Sequence, residues 1–501
     1  MLPLLTAQQI READAYTISN EPVSSIDLME RASKAFVGWF VNHYPDRKES
    51  IAVYCGSGNN GGDGLAISRM LFEHGYTQLD VKIASYSNRS TADFDTNLAR
   101  LIQLAIPITA LLPGEDLLQE NAAIIIDALL GTGLNKALSG DYEKLAKFIN
   151  GLSAGKVAVD IPTGFFADGE MPVDAPVIKA DVVISFQQPK INFLLPDSAK
   201  YVDCWQTVNI GLSETFTNSL DSPYQFLEEK DARALIKPRH HFSNKGTYGH
   251  AFIIAGEAET MGAALLSSSA CLYAGAGLTT ACIPQAGLFA LNSSHPEIMA
   301  VLRQDDEQLN IEWDKYTAVG IGPGLGKKAI ALQLLSDVLE RFCNPIVADA
   351  DALNLLAENP ILLKKLPAES ILTPHMKEFD RLFGEHNNWW QRMQTARVKA
   401  AELGINIVLK NDYTLIITPH GKVYFNSTSN PAMATGGMGD VLTGIITSLI
   451  AQKYQPEEAC LLGVYIHGKA GDELALPDRA YVVTPTQIAN RLPATMAKLL
   501  A

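Results

Sequence analysis

The sequence predicts an α/β protein built of two consecutive, unlike units, each a largely parallel sheet covered by helices. Short β-branched apolar runs alternate with amphipathic helical stretches from end to end. A five-glycine turn, Gly56-Ser57-Gly58-Asn59-Asn60-Gly61-Gly62-Asp63-Gly64, joins a strand candidate to a helical run at 65–73. A second glycine loop, Asn430-Pro431-Ala432-Met433-Ala434-Thr435-Gly436-Gly437-Met438-Gly439-Asp440, runs straight into apolar residues and sets a carboxylate at the mouth of a helix.

In the first unit, taken as 1–215, helical stretches at 6–16 and 25–44 precede strand candidates at 51–55, 81–85, 123–127, 156–160, 181–186 and 207–210. Residues 211–230, rich in Ser, Thr and Asn, read as the boundary. The second unit, taken as 225–501, offers strands at 251–255, 278–282, 318–321, 346–349, 371–373, 405–410 and 414–417, and helices at 262–274, 440–451, 456–475 and 486–500. No short-period repeat is visible.

The 501 residues, 47% hydrophobic and 19% charged, can fill two or three cores. A net charge of −15 argues against a general nucleic-acid or anionic-membrane binder, which gains affinity by neutralising phosphates with Lys and Arg. Cys55, Cys204, Cys271, Cys282, Cys343 and Cys460 show no zinc or redox spacing and are expected as reduced core residues. Apolar runs fall short of the ~20 residues of a membrane helix, and the N-terminus carries no basic region before an apolar core. The expected compartment is the cytosol.

Glycines bring backbone N–H groups close to an anion, and a helix N-terminus adds favourable partial charge. The turn at 56–64 is therefore a pyrophosphate cradle, although Asn59, Asn60 and Asp63 depart from the ordinary dinucleotide fingerprint. Asp127-Ala128-Leu129-Leu130-Gly131-Thr132-Gly133-Leu134 and Asp160-Ile161-Pro162-Thr163-Gly164 follow two further strands, whose carboxyl ends converge in an open parallel sheet. These three motifs, in this order, resemble the NAD(P)H-hydrate epimerase domain over the whole first unit. The resemblance implies a Rossmann-like three-layer α/β/α fold and a pocket for hydrated NAD(P)H. Its contacts would come from Asn59, Asn60, Gly61, Gly62 and Asp63, from Gly131, Thr132, Gly133, Leu134, Asn135, Lys136 and Ala137, and from Asp160. It also implies a potassium ion near Asn60, Asp127 and Thr163, the threonine standing where many members have serine.

In the second unit, Gly322-Pro323-Gly324-Leu325-Gly326, Val347-Ala348-Asp349-Ala350-Asp351, Leu372-Thr373-Pro374-His375 and Lys410-Asn411-Asp412-Tyr413-Thr414 all lie at strand ends. With the Asp440 loop they resemble the ribokinase-like NAD(P)H-hydrate dehydratases, from about Arg233 onward. The resemblance implies that Ala264, Gly324, His375 and Asp440 face the hydrated nucleotide, and that Lys410, Asn411, Asp412, Tyr413, Thr414 and Gly439 hold ADP, with Mg2+. Asn244, Ala432 and Asn411 stand where histidine, glycine and glycine are usual.

The expected partners are thus NADHX, NADPHX and ADP, with neither nucleic acid nor membrane, in a homo-oligomer. Asp440 would take the C6 hydroxyl proton as phosphate arrives from ADP, and Asp160 would be the acid/base that inverts C6. The competing reading is a sugar or vitamin kinase using ATP, fused to a non-catalytic Rossmann-like binding domain.

Overall fold

The computed structural model describes residues 1–117, 119–303, 309, 311–475 and 480–501. The chain forms two compact units, one of Pro3–Ser222 and one of Pro223–Ala501 together with Met1–Leu2.

The N-terminal unit holds a seven-stranded, wholly parallel sheet ordered Ile108–Leu111, Leu79–Ala84, Ile51–Cys55, Ile124–Ala128, Gly155–Val159, Ala180–Phe186 and Val202–Val208. The first strand in sequence, Ile51–Cys55, lies between Leu79–Ala84 and Ile124–Ala128, so the chain reverses its direction of winding there. Loops leaving the carboxyl ends on the two sides of such a switch point part and leave a crevice. Ile51–Cys55 and Ile124–Ala128 are buried at every position, as expected of strands covered on both faces.

In the C-terminal unit the strands run Tyr224–Leu227, Val423–Asn426, Leu415–Ile417, Asn406–Leu409, Ile371–Leu372, Ile346–Ala348, Ala318–Ile321, His250–Ile254, Leu278–Pro284 and Met299–Arg303. They are parallel except for the two antiparallel pairings of Leu415–Ile417. The apolar helix Met438–Ala451 packs on Met261–Tyr273 and forms the centre of this unit's core. Gly444 makes that packing close: a Cβ there would sit 2.0 Å from the Ser267 carbonyl oxygen.

Two expectations change. The helix after the five-glycine turn is Asn59–Glu73, so Asn59, Asn60 and Asp63 belong to its first turn rather than to a loop. A Cβ at Gly61 would lie 1.7 Å from the Gly56 oxygen, which explains why residues of poor helix propensity stand there. The stretch 211–230, read as the boundary, holds the division between the units at Ser222 and Pro223 along with the helix Glu214–Ser219 and the strand Tyr224–Leu227. Finally, Cys204 and Cys343 are exposed; only Cys55, Cys271, Cys282 and Cys460 are core residues. Cys204 falls on the edge strand of its sheet, where one face meets solvent.

Candidate functional sites

The crevice of the N-terminal unit is a cavity of about 450 Å³. Asn59, Asn60, Asp63, Gly131, Thr132, Gly133, Leu134 and Asp160 line it. Gly61 and Gly62 lie behind them in the first helical turn, Asn135 lines an adjoining cavity, and Lys136 and Ala137 are exposed. Asp160 follows Gly155–Val159 with φ of 64°, a conformation aspartate tolerates better than most residues. Its Oδ1 accepts from the Phe186 N–H at 2.8 Å and from the Lys190 ammonium at 2.7 Å. Lys190 is 1% exposed and donates to a carboxylate, the arrangement a buried cation requires.

Asp127, in the strand Ile124–Ala128 that leads to Leu129 and Leu130 of the cavity lining, is wholly buried. Its carboxylate accepts from the Thr163 N–H and hydroxyl, both at 2.7 Å, and from the Leu129 N–H at 3.2 Å. All these donors are neutral, so burial dominates and raises the Asp127 carboxyl to about 6. Asn60 is 7% exposed, and its Nδ2 lacks a partner. Asp127 and Thr163 thus form one buried, hydrogen-bonded pair. Burial, followed by the charge of Asp160, holds Asp63 well above the usual carboxylate range. Lys190 and Asp14 also line the cavity and were not singled out in the sequence. The position of Lys190 just past the end of Ala180–Phe186 is the signal that could have found it.

In the C-terminal unit Asp349 follows Ile346–Ala348, and Lys410 follows Asn406–Leu409. Lys410 Nζ lies 2.8 Å from Asp349 Oδ1, and the Thr443 hydroxyl donates to Asp349 Oδ2 at 2.8 Å. Burial pushes the Asp349 carboxyl up, but Lys410 and the hydroxyl donors outweigh it and hold it below its ordinary value. Gly437, in the left-handed region, caps Met438–Ala451, whose first turn carries Gly439 and Asp440. A Cβ at Gly439 would stand 3.1 Å from Lys410 Nζ, so this turn lies directly over the ion pair. Burial and then the Asp349 charge raise Asp440 to about 7, against the pull of Lys410.

Beside this turn is a cavity of about 340 Å³ lined by Lys410, Asn411, Asp412, Thr414 and Gly439, with Tyr413 between them in the chain. His467 also lines it, and burial with the Lys410 charge pushes that imidazole down to about 4, so it is neutral. Both amide atoms of Asn411 and Nε2 of His467 are buried without a protein partner, which leaves them for a ligand. His375 caps the helix Met376–Phe383, its Nδ1 accepting from the N–H groups of Lys377 and Glu378. It pairs by a β-bridge with Lys410. The Gly324 carbonyl accepts from the Thr260 hydroxyl at 2.6 Å, and Ala264 is wholly buried. These last two lie where the second sheet switches direction, between His250–Ile254 and Ala318–Ile321.

Comparison with known proteins matches both units. Residues 251–494 fit a family described as NAD(P)H-hydrate dehydratase, and residues 25–192 fit the YjeF-related protein N-terminus. A bifunctional NAD(P)H-hydrate repair enzyme of Moorella thermoacetica is 33% identical over 94% of this chain and 92% of its own. Its counterpart in Coxiella burnetii is 34% identical over 95% of each chain. Among solved structures, a hypothetical protein of Streptococcus mutans is similar with a TM-score of 0.51 and 29% identity, over 55% of this chain and 100% of that one. The chain belongs to the family of bifunctional NAD(P)H-hydrate repair enzymes.

Proposed function

We propose that residues 1–215 interconvert the R and S epimers of hydrated NADH and NADPH, and that residues 225–501 dehydrate the S epimer to NAD(P)H at the expense of ADP, giving AMP and phosphate. The observation that carries this reading is the placing of Asp440, in the first turn of Met438–Ala451, beside the Lys410–Asp349 pair and a cavity with unspent polar atoms.

Hydroxide leaves C6 poorly, whereas phosphate leaves well. Asp440 takes the C6 hydroxyl proton as that oxygen attacks the β-phosphoryl group of ADP, and AMP departs; Mg2+ carried by the nucleotide would neutralise its phosphates. The 436–439 loop and Lys410 stabilise the charge on the group in transfer. Loss of phosphate from C6 with a proton from C5 then forms the C5–C6 double bond of the dihydropyridine. Lys410, Asn411, Asp412, Tyr413, Thr414 and Gly439 hold the nucleotide, while Ala264, Gly324 and His375 border the nicotinamide side.

In the N-terminal unit, the first turn of Asn59–Glu73 and residues 131–137 receive the substrate's pyrophosphate and ribose, and Asp160 stands at C6. Asn60, Asp127 and Thr163 would hold potassium, which supplies compensation for the buried carboxylate. The reading also places the protein in the cytoplasm, where reduced nicotinamide nucleotides are used.

The test is to give the purified protein both hydrate epimers, with and without ADP, and to follow dihydronicotinamide absorbance. Complete recovery with ADP and none without it is expected. A halt near half would remove the epimerase assignment, and a lasting phospho-ester product would replace repair by kinase activity.

A further inference from the structure

We propose that Asp14 is the proton donor of the epimerase site, working against Asp160 as proton acceptor; this rests on the epimerase reading above. Asp14 belongs to the helix Ala7–Asn20, which precedes the stretch matched by the family model at 25–192.

Three observations bring Asp14 into the chemistry. Its carboxyl lines the cavity that Asp160, Asp63 and Lys190 also line. Among the described residues it makes no hydrogen bond or ion pair, so its proton and lone pairs are not spent on the protein. Asn60, nine-tenths buried, lines the same cavity and leaves its Nδ2 unpartnered, which marks the cavity as one that a polar ligand completes.

The charged groups facing Asp14 divide the work. Lys190 donates to Asp160 Oδ1, so the cation of the site is committed to Asp160. Asp14 feels Lys190 only at longer range and has Asp160 and Asp63 as like-charged neighbours; Arg11 of its own helix lines the cavity without bonding to it. Burial first, and then the charge of Asp160, hold the Asp14 proton up to about 6. A carboxylate committed to a buried ammonium and a carboxyl with no protein partner are suited to opposite roles.

The step balances without any further reactant than water. The C6–O bond breaks with both electrons on oxygen, which takes the Asp14 proton and leaves as water, while the N1 lone pair forms the N1–C6 iminium. A water molecule adds to C6 from the other face, and its proton passes to Asp160. One proton has moved from Asp14 to Asp160, and the reverse turnover or solvent exchange returns it.

The experiment uses the full chain and the pure R hydrate without ADP, with the two epimers resolved by chromatography. The melting curve of the same preparation monitors folding of the N-terminal unit, and dehydration of the pure S hydrate with ADP monitors that of the other. Asp14→Asn is expected to lower the epimerisation kcat by about a hundredfold or more, with KM little changed, the scale of a lost general acid. The parent rate should fall on the alkaline side with a limb that Asp14→Asn lacks. Epimerisation by Asp14→Asn within a few-fold of the parent would overturn the assignment. Should Asp14→Asn fold poorly, Asp14→Glu decides: a near-parental rate with a displaced alkaline limb upholds it, and a loss as deep as that of Asn overturns it. A parent protein that leaves the R hydrate untouched would instead sink the epimerase reading itself.

Discussion

Asp440 is a carboxyl whose surroundings oppose its charge, and a general base is useful when its proton affinity lies near the working pH. With the group raised to about 7, the base form grows as pH rises, so dehydration kcat/KM should climb through neutrality. The sign for stability is the reverse. A carboxyl raised in the folded state stabilises the fold at low pH, and that contribution is lost as pH rises through about 7. Asp349 behaves oppositely, because its lowered proton affinity gives stability that disappears only in acid. Asp440→Asn should therefore cost about a hundredfold or more in dehydration kcat and abolish the neutral limb, while raising the melting temperature above neutral pH. Kinetics and melting curves across pH check both; retained dehydration by the variant would exclude Asp440 as the base. Asp440 stands out in the sequence as a candidate because glycine loop, carboxylate and helix are contiguous. Asp14 does not, since its helix reaches the site only through folding against elements far from it in the chain, and Lys190 is marked only by its place just past a strand's end.

Helices position both sites, and their close approaches set the geometry. At Gly444 the neighbour of an added Cβ is the Ser267 backbone oxygen, which cannot rotate away. Gly444→Ala must therefore push Met438–Ala451 off Met261–Tyr273, at a cost of roughly 1–3 kcal/mol as for other overpacked cores. The Asp440 turn moves with it. Lower thermal stability and slower dehydration are expected, with epimerisation unchanged. Gly262→Ala, where an added Cβ meets nothing within 4 Å, is the control and should leave both as they were. Thermal melts and the two separate assays give the answer.

At this scale the sequence was legible where a signal was local. The strands at 51–55 and 318–321 end where apolar runs meet glycine. The helix start at Asn59 was hidden because Asn and Gly are weak helix formers, chosen there for close backbone contact. The strands Ile108–Leu111, Met299–Arg303 and Val423–Asn426 were missed because short strands carry little periodicity of their own and gain their pairing from partners distant in sequence.

On the scale of the whole molecule, two units with separate cores carry complementary chemistry. One sheet offers buried carboxylates around a single lysine, suited to moving protons at a carbon. The other offers a cavity with unspent polar atoms beside an ion pair and a poised carboxylate, suited to phosphoryl transfer. Hydration at C6 yields both epimers, and a dehydratase selective for one needs an epimerase for the other, which gives a chemical reason for their union in one chain. The central claim is that the C6 oxygen is itself phosphorylated before it leaves. Its most direct test is dehydration of S hydrate carrying oxygen-18 in the C6 hydroxyl, with unlabelled ADP, followed by mass spectrometry of the released phosphate. The account predicts one labelled oxygen in each inorganic phosphate formed. Label found in water, with unlabelled phosphate, would contradict it.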